Sequence, residues 1–214
     1  GPAQADAKAR ARFLDIMREQ GRRMARLIDD LLSLSRIEQK QHLRPAAEGD
    51  LAQAARHVAD TLAPLAREMG VELQLDADAP VIVIGERDEL LRVAENLIEN
   101  AIKYGAHPDP EVASKVEITV SRRGKDGVLI VRDHGRGIAP EHLPRLTERF
   151  YRVDPGQSRA KNGTGLGLAI VKHILARCRG RLSIASRLGE GSTFTAFTPL
   201  AKTDGQSPPP ASKT

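Results

Sequence analysis

An apolar stripe with heptad spacing near the start of the chain constrains the fold more than any other feature. Between residues 7 and 41, large side chains recur at alternating spacings of four and three, with one polar member: Phe13, Met17, Gln20, Met24, Leu27, Leu31 and Leu34. Flanking isoleucines and a leucine widen the stripe beyond that of a two-stranded coil: Ile16, Ile28, Leu32 and Ile37. The pattern predicts one long helix that packs in a bundle or folds back on its own domain.

A second region follows a break at residues 42–49, where Pro45 and Gly49 end the helix. Its periodicities predict helices at 51–69, 87–104 and 166–179, and strands at 71–75, 81–84, 116–122, 128–132, 181–186 and 193–198. This order indicates an α+β fold with hairpins. We expect a helical unit at 1–44, a compact domain at 45–200 and a disordered tail at 201–214.

Composition excludes several classes of protein. The net charge is +5 over 214 residues, but the basic residues are interleaved with acidic ones, which argues against nucleic-acid binding. The one cysteine, Cys178, cannot form an internal disulfide and is expected to pack in the core. No window approaches the roughly 18 consecutive apolar residues of a membrane span, so the chain as given is expected to be soluble.

A polar stripe runs along the predicted helix 87–104. Asn96, Asn100 and Lys103 lie three or four residues apart and therefore share one helical face. An amide oxygen can bind Mg²⁺, and a lysine can neutralise phosphate oxygens. The opposite face is apolar and would hold the helix to a sheet: Leu97, Ile98, Ala101 and Ile102. A solvated helix face explains the polar stripe equally well.

Two glycine-containing segments could approach a ligand closely. Asp133 ends an apolar strand and precedes Gly135 and Gly137, so its carboxylate could accept a hydrogen bond from a purine amino group. The segment 163–167 opens a helix, where backbone N–H groups can bind phosphate. Each segment is also compatible with a simple turn, and a third glycine turn, at 189–194, is expected to be structural.

The polar stripe and the three glycine segments resemble, in this order, the N, G1, G2 and G3 boxes of sensor histidine kinases. Residues 148–154, between the second and the third of them, resemble the F box of that family. The resemblance covers residues 8–200. The stretch 31–38 resembles the second helix of that family's dimerisation and histidine-phosphotransfer hairpin. Its sequence is most similar to that of the phosphate-regulon sensor kinases. The implied fold is a Bergerat-type (GHKL) α/β sandwich with a mixed sheet, shared with gyrase, Hsp90 and MutL and preceded here by one long hairpin helix.

The resemblance implies an ATP site. Asn100 would bind Mg²⁺, Asn96 would assist at the phosphates, and Lys103 and Tyr104 would line the phosphate and ribose side. Asp133 would select adenine, with Gly135 and Gly137 leaving room for the ring. The rest of the implied nucleotide site comes from the lid at 139–164 and its hinge: Ile138, Tyr151, Arg152, Gly163, Thr164, Gly165, Leu166 and Gly167.

Within that site, four residues are implied as catalytic, with Arg152 carried by the lid towards the γ-phosphate: Asn96, Asn100, Lys103 and Arg152. Leu166 and its neighbour Leu168 are expected mainly to pack.

The implied activity is transfer of the γ-phosphoryl group of ATP to a histidine, for relay to an aspartate on a response-regulator receiver domain. The related ATPases carry a water-activating glutamate four residues before the metal-binding Asn, where this chain has Asn96, so hydrolysis should be slow. The intact protein is expected to form a homodimer through the N-terminal helix. The domain is expected in the cytoplasm, below an inner-membrane anchor outside this sequence.

The acceptor histidine is not evident in this sequence. In the family it is followed directly by Glu or Asp, and none of the six histidines has that neighbour: His42, His57, His107, His134, His142 and His173. We therefore expect the first hairpin helix to be removed or to lie on another chain. Two alternatives remain open, namely a non-catalytic nucleotide-binding or dimerisation module and an ATPase of the gyrase or MutL kind.

Overall fold

The computed structural model describes residues 2–39, 45, 47–106, 112–153 and 163–201. Its helices are α1 (Pro2–Gln39), α2 (Leu51–Glu68), α3 (Arg87–Tyr104) and α4 (Gly167–Arg177), with a 3-10 helix at Pro140–Arg145. Its strands are β1 (Glu48–Asp50), β2 (Val71–Asp76), β3 (Ile82–Ile84), β4 (Ser114–Arg123), β5 (Asp126–Asp133), β6 (Arg181–Arg187) and β7 (Gly191–Pro199). The predicted tail beyond residue 201, half of the interdomain break (residues 42–44 and 46) and lid residues 154–162 lie outside the described residues.

A mixed five-stranded sheet forms the centre of the domain, in the order β2-β4-β5-β7-β6. β2 pairs with β4 in parallel and the other neighbours are antiparallel. The central strand β5 is buried on both faces over much of its length, as expected for an apolar run such as Val128–Val131. The predicted α+β fold with a mixed sheet is confirmed.

A small second sheet, β1 paired with β3, was not predicted as such, because β1 is only three residues long and carries two acidic side chains. Asp50 ends β1 and caps α2. Its Oδ1 accepts hydrogen bonds from the backbone N–H groups of Ala52 and Val81, both at 3.0 Å. This one carboxylate therefore fixes where α2 begins relative to the second sheet.

The helices α2, α3 and α4 pack on the main sheet and share one core with it. The predicted apolar face of α3 is buried, with Leu97 and Ile98 at 0% exposure. Arg177, the last residue of α4, is buried and forms ion pairs with Glu86 and Glu89 at the start of α3. Cys178 beside it is buried, as predicted, and burial raises the pKa of its thiol to about 12.

The long helix α1 begins earlier than predicted, at Pro2, and its C-terminal part contacts α4. Leu34 and Ile37 are buried there, whereas most of the large heptad residues and the flanking Ile28 are exposed, the heptad residues being Phe13, Met17, Met24 and Leu31. Within the part of the chain that the structure describes, the stripe therefore lacks a covering partner over most of its length.

Candidate functional site

A cavity of about 560 Å³ lies between α3, the first turn of α4, the end of β5 and the start of β7. All of the predicted site residues line it except Gly135 and Leu166: Asn96, Asn100, Lys103, Tyr104, Asp133, Gly137, Ile138, Tyr151, Arg152, Gly163, Thr164, Gly165 and Gly167. Leu166 is instead fully buried at the start of α4, in agreement with a packing role. Leu168, expected mainly to pack, also lines the cavity.

The polar face of α3 forms one wall of this cavity. The side-chain N–H of Asn96 donates to the backbone carbonyl of Arg92 at 2.8 Å, which leaves the amide oxygen as its acceptor. Lys103 is nearly buried and pairs with Glu99 at 2.6 Å. A Cβ atom at Gly167 would overlap the amide oxygen of Asn96, so a larger residue there would require the Asn96 side chain to move. A polar wall with amide and ammonium groups suits an anionic ligand.

Asp133 lies at the last position of β5 and also lines the cavity, next to the C-terminal end of α3. Its Oδ1 accepts backbone N–H hydrogen bonds from Gly135 at 3.0 Å and from Ser192 at 3.2 Å. Burial raises the pKa of Asp133, and these hydrogen bonds only partly offset that effect. Since a carboxylate has about four acceptor positions, the group retains capacity for a ligand donor in the cavity.

The glycine turn at 189–194, which we expected to be structural, includes two residues that line the cavity. Antiparallel pairing places Ser192 directly opposite Asp133, and Ser192 and Phe194 line the cavity. The hydroxyl of Ser192 lies 3.0 Å from that of Ser186, which in turn accepts the N–H of Ile138. The position of Ser192 beside Asp133 depends on the register of β5 on β7, which no local sequence pattern reveals.

The described part of the lid is tied together by aromatic contacts. The hydroxyl of Tyr151 lies 2.7 Å from Nδ1 of His142, and the guanidinium of Arg145 lies 4.2 Å from the centre of the Tyr151 ring. These contacts hold Tyr151 in the wall of the cavity.

The hinge next to the lid has unusual backbone geometry. Gly165 has φ of +76°, and its carbonyl accepts the N–H of Phe150, which has φ of +62°, at 2.8 Å. A Cβ at Gly165 would lie 2.9 Å from the Cα of Phe150. The hinge therefore requires glycine both for its conformation and for its space.

The helix α1 closes the cavity on a third side, which the sequence did not predict. Its residues in the wall are Arg26, Asp29, Asp30, Leu32, Ser33 and Arg36. Asp30 accepts from Nη2 of Arg92 at 3.3 Å and from the hydroxyl of Thr164 at 2.7 Å. Near the end of α1, Glu38 pairs with Arg149 of the lid and lies 3.9 Å from His173 of α4.

Neither His134 nor His173 lies in the cavity wall. His134 lies 3.4 Å from Glu117 on the neighbouring strand β4. His173 is half-buried beside α1, not on an open helix surface. Among the described residues, no cluster of three or more His, Cys, Asp and Glu side chains could hold a metal by itself, and none of the described helices is long and apolar enough to cross a membrane.

Comparison with known proteins agrees with this geometry. The profile of the histidine kinase-, DNA gyrase B- and HSP90-like ATPase family matches residues 85–202. The phosphate regulon sensor protein PhoR of Pseudomonas aeruginosa is 42% identical over 192 residues, which are 88% of this chain and 42% of PhoR. The sensor histidine kinase RppB of Synechocystis is 37% identical over 189 residues, covering 88% of this chain and 40% of RppB. The chain thus spans about two-fifths of the length of these curated relatives.

The fold is likewise similar to that of a solved kinase. The crystal structure of full-length ShkA in complex with AMPPNP superposes with a TM-score of 0.71 at 27% identity, over 88% of this chain and 38% of ShkA. The α/β sandwich, the cavity wall built from α3, β5 and the hinge, and these similarities lead to one conclusion. The chain belongs to the histidine kinase-, DNA gyrase B- and HSP90-like ATPase family, and it is similar to the corresponding part of sensor histidine kinases of PhoR-like type.

Proposed function

We propose that this chain is the phosphoryl-donating part of a sensor histidine kinase: it binds ATP in the cavity and donates the γ-phosphoryl group to a histidine on a hairpin helix outside this sequence. The observation that carries the proposal is the cavity itself, whose wall combines the buried carboxylate of Asp133 with amides, a lysine and the glycine hinge. A nucleoside triphosphate offers matching groups, with amino donors on the base and negative charge on the phosphates.

Each end of the cavity is assigned by its chemistry. Asp133 accepts from the amino group of adenine, while Gly137 and Ile138 bound the base. Asn96 and Lys103 face the phosphates, and the remaining phosphate-side and lid contacts come from Tyr104, Tyr151, Arg152, Gly163, Thr164, Gly165 and Gly167. Gly135 does not line the cavity but packs against the end of α3, since a Cβ there would lie 2.8 Å from the carbonyl oxygen of Tyr104.

The donor set fits Mg²⁺ bound together with the nucleotide. Amide and carboxylate oxygens line the phosphate side, from Asn100, Asn96, Glu95 and Glu99. Mg²⁺ keeps several waters and takes substrate phosphates as ligands, so one or two protein oxygens suffice. We assign Asn100 as the protein ligand. The ion would neutralise phosphate charge.

The partners follow from the same proposal. The exposed apolar stripe of α1 would pack against the rest of a dimerisation hairpin and against a second subunit, because an uncovered stripe of this length is unfavourable in water. The phosphohistidine would then donate its phosphoryl group to an aspartate on the receiver domain of a response regulator. The domain would lie on the cytoplasmic side of an inner membrane in the intact protein.

Labelled ATP tests the function. The chain is incubated with γ-labelled ATP and Mg²⁺, alone and with a separately purified hairpin that carries the acceptor histidine. We expect acid-labile label on the added hairpin only. Asn100→Ala should abolish that label, while Gln74→Ala, which removes an exposed amide on β2, should not.

A second candidate function is favoured by the absence of a histidine with the acceptor's neighbours. On that account the chain binds ATP and transfers nothing. Tight ATP binding with no label on an intact, folded hairpin would support it and contradict the kinase proposal.

A further inference from the structure

A single hydroxyl on β6, that of Ser186, joins three parts of the wall around Asp133. It accepts the backbone N–H of Ile138 at 2.8 Å, donates to the backbone carbonyl of Gly191 at 2.8 Å, and lies 3.0 Å from the hydroxyl of Ser192. Ile138 and Ser192 line the cavity, whereas Ser186 does not. Ser186 therefore lies behind the wall and can act on a ligand only through its partners.

The backbone segments that Ser186 joins are in close contact. A Cβ at Gly137 would overlap the carbonyl oxygen of Arg187, and a Cβ at Gly191 would overlap that of Asp133. The turn between β6 and β7 is thus held against the loop that follows β5. Ser186 is the side chain whose hydroxyl bonds to both segments at this junction.

The contacts of Ser186 determine where its own hydrogen and that of Ser192 lie. A hydroxyl has one hydrogen and two lone pairs. Because a carbonyl oxygen can only accept, the contact with Gly191 uses the hydrogen of Ser186, and the N–H of Ile138 uses one of its lone pairs. The hydrogen between the two serines must then come from Ser192. Ser192 is left with lone pairs, and no hydrogen, for the cavity.

Asp133 is the other group that could take the hydrogen of Ser192. Burial raises the pKa of Asp133, and the hydroxyl of Ser192 is the smallest of the influences that lower it. If that hydroxyl donated to Asp133, either the two serine oxygens would lie 3.0 Å apart with no hydrogen between them, or the carbonyl of Gly191 would lose this donor. Buried polar groups are seldom left unpaired. Donation from Ser192 to Ser186 satisfies all three contacts.

We propose that Ser186 is a positioning residue that makes the cavity specific for a base with an exocyclic amino group. By taking the hydrogen of Ser192 it turns that side chain into an acceptor, beside a carboxylate that also only accepts. The wall around Asp133 then presents acceptors, which suit the hydrogens of an amino group and disfavour a carbonyl oxygen. The inference rests on the proposed function, since it concerns the base of the nucleotide assigned to this cavity.

Nucleotide selectivity tests the proposal on the full chain. Inosine diphosphate carries an oxygen where ADP has the amino group, so the ratio of the two dissociation constants reports which atoms in the wall carry hydrogen. Calorimetric titration compares the wild type with Ser186→Ala, in which Ser192 is free to turn its hydrogen into the cavity. The preference for ADP should fall about two- to tenfold, the equivalent of one hydrogen bond between uncharged groups. A merely structural defect would weaken both nucleotides alike.

Further variants separate the hydroxyl from the shape of the side chain. Ser186→Thr keeps the hydroxyl and should restore the preference for ADP. Ser186→Cys keeps the size but forms weak hydrogen bonds, so it should resemble Ser186→Ala and takes its place if that variant does not fold. In a Ser192→Ala background the change at Ser186 should no longer alter the preference, because the hydrogen it controls is absent. The control is Ser183→Ala, which removes an exposed hydroxyl from the same strand and should leave the preference unchanged.

An unchanged preference in Ser186→Ala or its Cys substitute, or an equal fall in the Ser192→Ala background, would overturn the proposal. Amide hydrogen exchange separates that failure from failure of the proposed function. In the nucleotide-free chain, Ser186→Ala removes the acceptor of the Ile138 N–H and should speed exchange there, and Ser186→Thr should restore the slow rate. Unchanged exchange at Ile138 contradicts the positioning role. If the wild type binds neither nucleotide, the proposed function fails, and exchange at Ile138 still decides whether Ser186 positions this wall.

Discussion

Replacement of Asp133 by asparagine tests the base end of the cavity while keeping the shape of the side chain. The amide oxygen of Asn can still accept the N–H groups of Gly135 and Ser192, which now bond to Oδ1. The amide nitrogen then takes the place of the second carboxylate oxygen. A donor therefore faces the amino group of adenine where an acceptor stood.

The expected loss of affinity is large. A hydrogen bond to a charged group contributes about 1.5–3 kcal/mol, so Asp133→Asn should weaken AMPPNP binding by roughly 10- to 150-fold. Guanine has an oxygen where adenine has the amino group, and that oxygen can accept from the new amide. The preference for adenine over guanine nucleotides should therefore fall further than the affinity itself.

Stability should change in the opposite direction. Burial raises the pKa of Asp133 above its usual 3.8, so its contribution to folding is fully present below that value and is lost as pH rises through the folded-state pKa. At neutral pH the wild type carries the cost of a buried charge, which Asn removes. Asp133→Asn should unfold at the same or a higher temperature at neutral pH, with a weaker loss of stability as pH rises from acid.

Calorimetric titration with adenine and guanine nucleotides, together with thermal unfolding followed by circular dichroism, measures these quantities. Retention of AMPPNP affinity within about twofold would refute the assignment of Asp133 to the base, since even a weak hydrogen bond exceeds that. If Asp133→Asn does not fold at neutral pH, the carboxylate is needed for folding, and the prediction of the same or a higher unfolding temperature is wrong.

Four further predictions concern the rest of the molecule. Gly165→Ala should lower the free energy of unfolding in urea by about 1–2 kcal/mol and weaken AMPPNP binding, because φ there is +76°. Arg177→Met leaves Glu89 buried without its partner and should cost about 3–5 kcal/mol in urea unfolding, much of which a second change, Glu89→Leu, should restore. Cys178, whose thiol pKa is about 12, should resist a thiol reagent at mildly alkaline pH until the protein unfolds. The wild-type chain should associate through the exposed stripe of α1, and Met24→Glu should reduce its mass in light scattering; a monomeric wild type would contradict this.

Periodicity predicted the elements that carry the site. Asn96, Asn100 and Lys103 share a face of α3 because of their spacing, and Asp133 ends an apolar strand. Both inferences depend on local repeats of 3.6 and two residues, which a single sequence shows directly.

Contacts between distant segments could not be predicted in this way. Ser192 joins Asp133 through the register of β5 on β7, and Asp30 reaches Arg92 and Thr164 across 62 and 134 positions of sequence. These pairings depend on how the sheet assembles and how α1 docks, and neither leaves a local periodic signal. For the same reason the sequence indicated the heptad stripe of α1 but not which end of it would be buried.

The geometry of Asn96 explains why we expect this cavity to hold ATP instead of hydrolysing it rapidly. The position lies four residues before Asn100 and carries an amide, which has no basic electron pair available to activate water. Its N–H is bound to the carbonyl of Arg92, and its side chain lies against Gly167, so it is fixed in place as a polar wall of the cavity. Glu95, the neighbouring residue, also lines the cavity, and burial raises the pKa of its carboxyl group. A site that holds the triphosphate through fixed amides and cations, with an amide where the related ATPases carry the activating glutamate, is suited to donating the phosphoryl group to an acceptor that arrives on another helix.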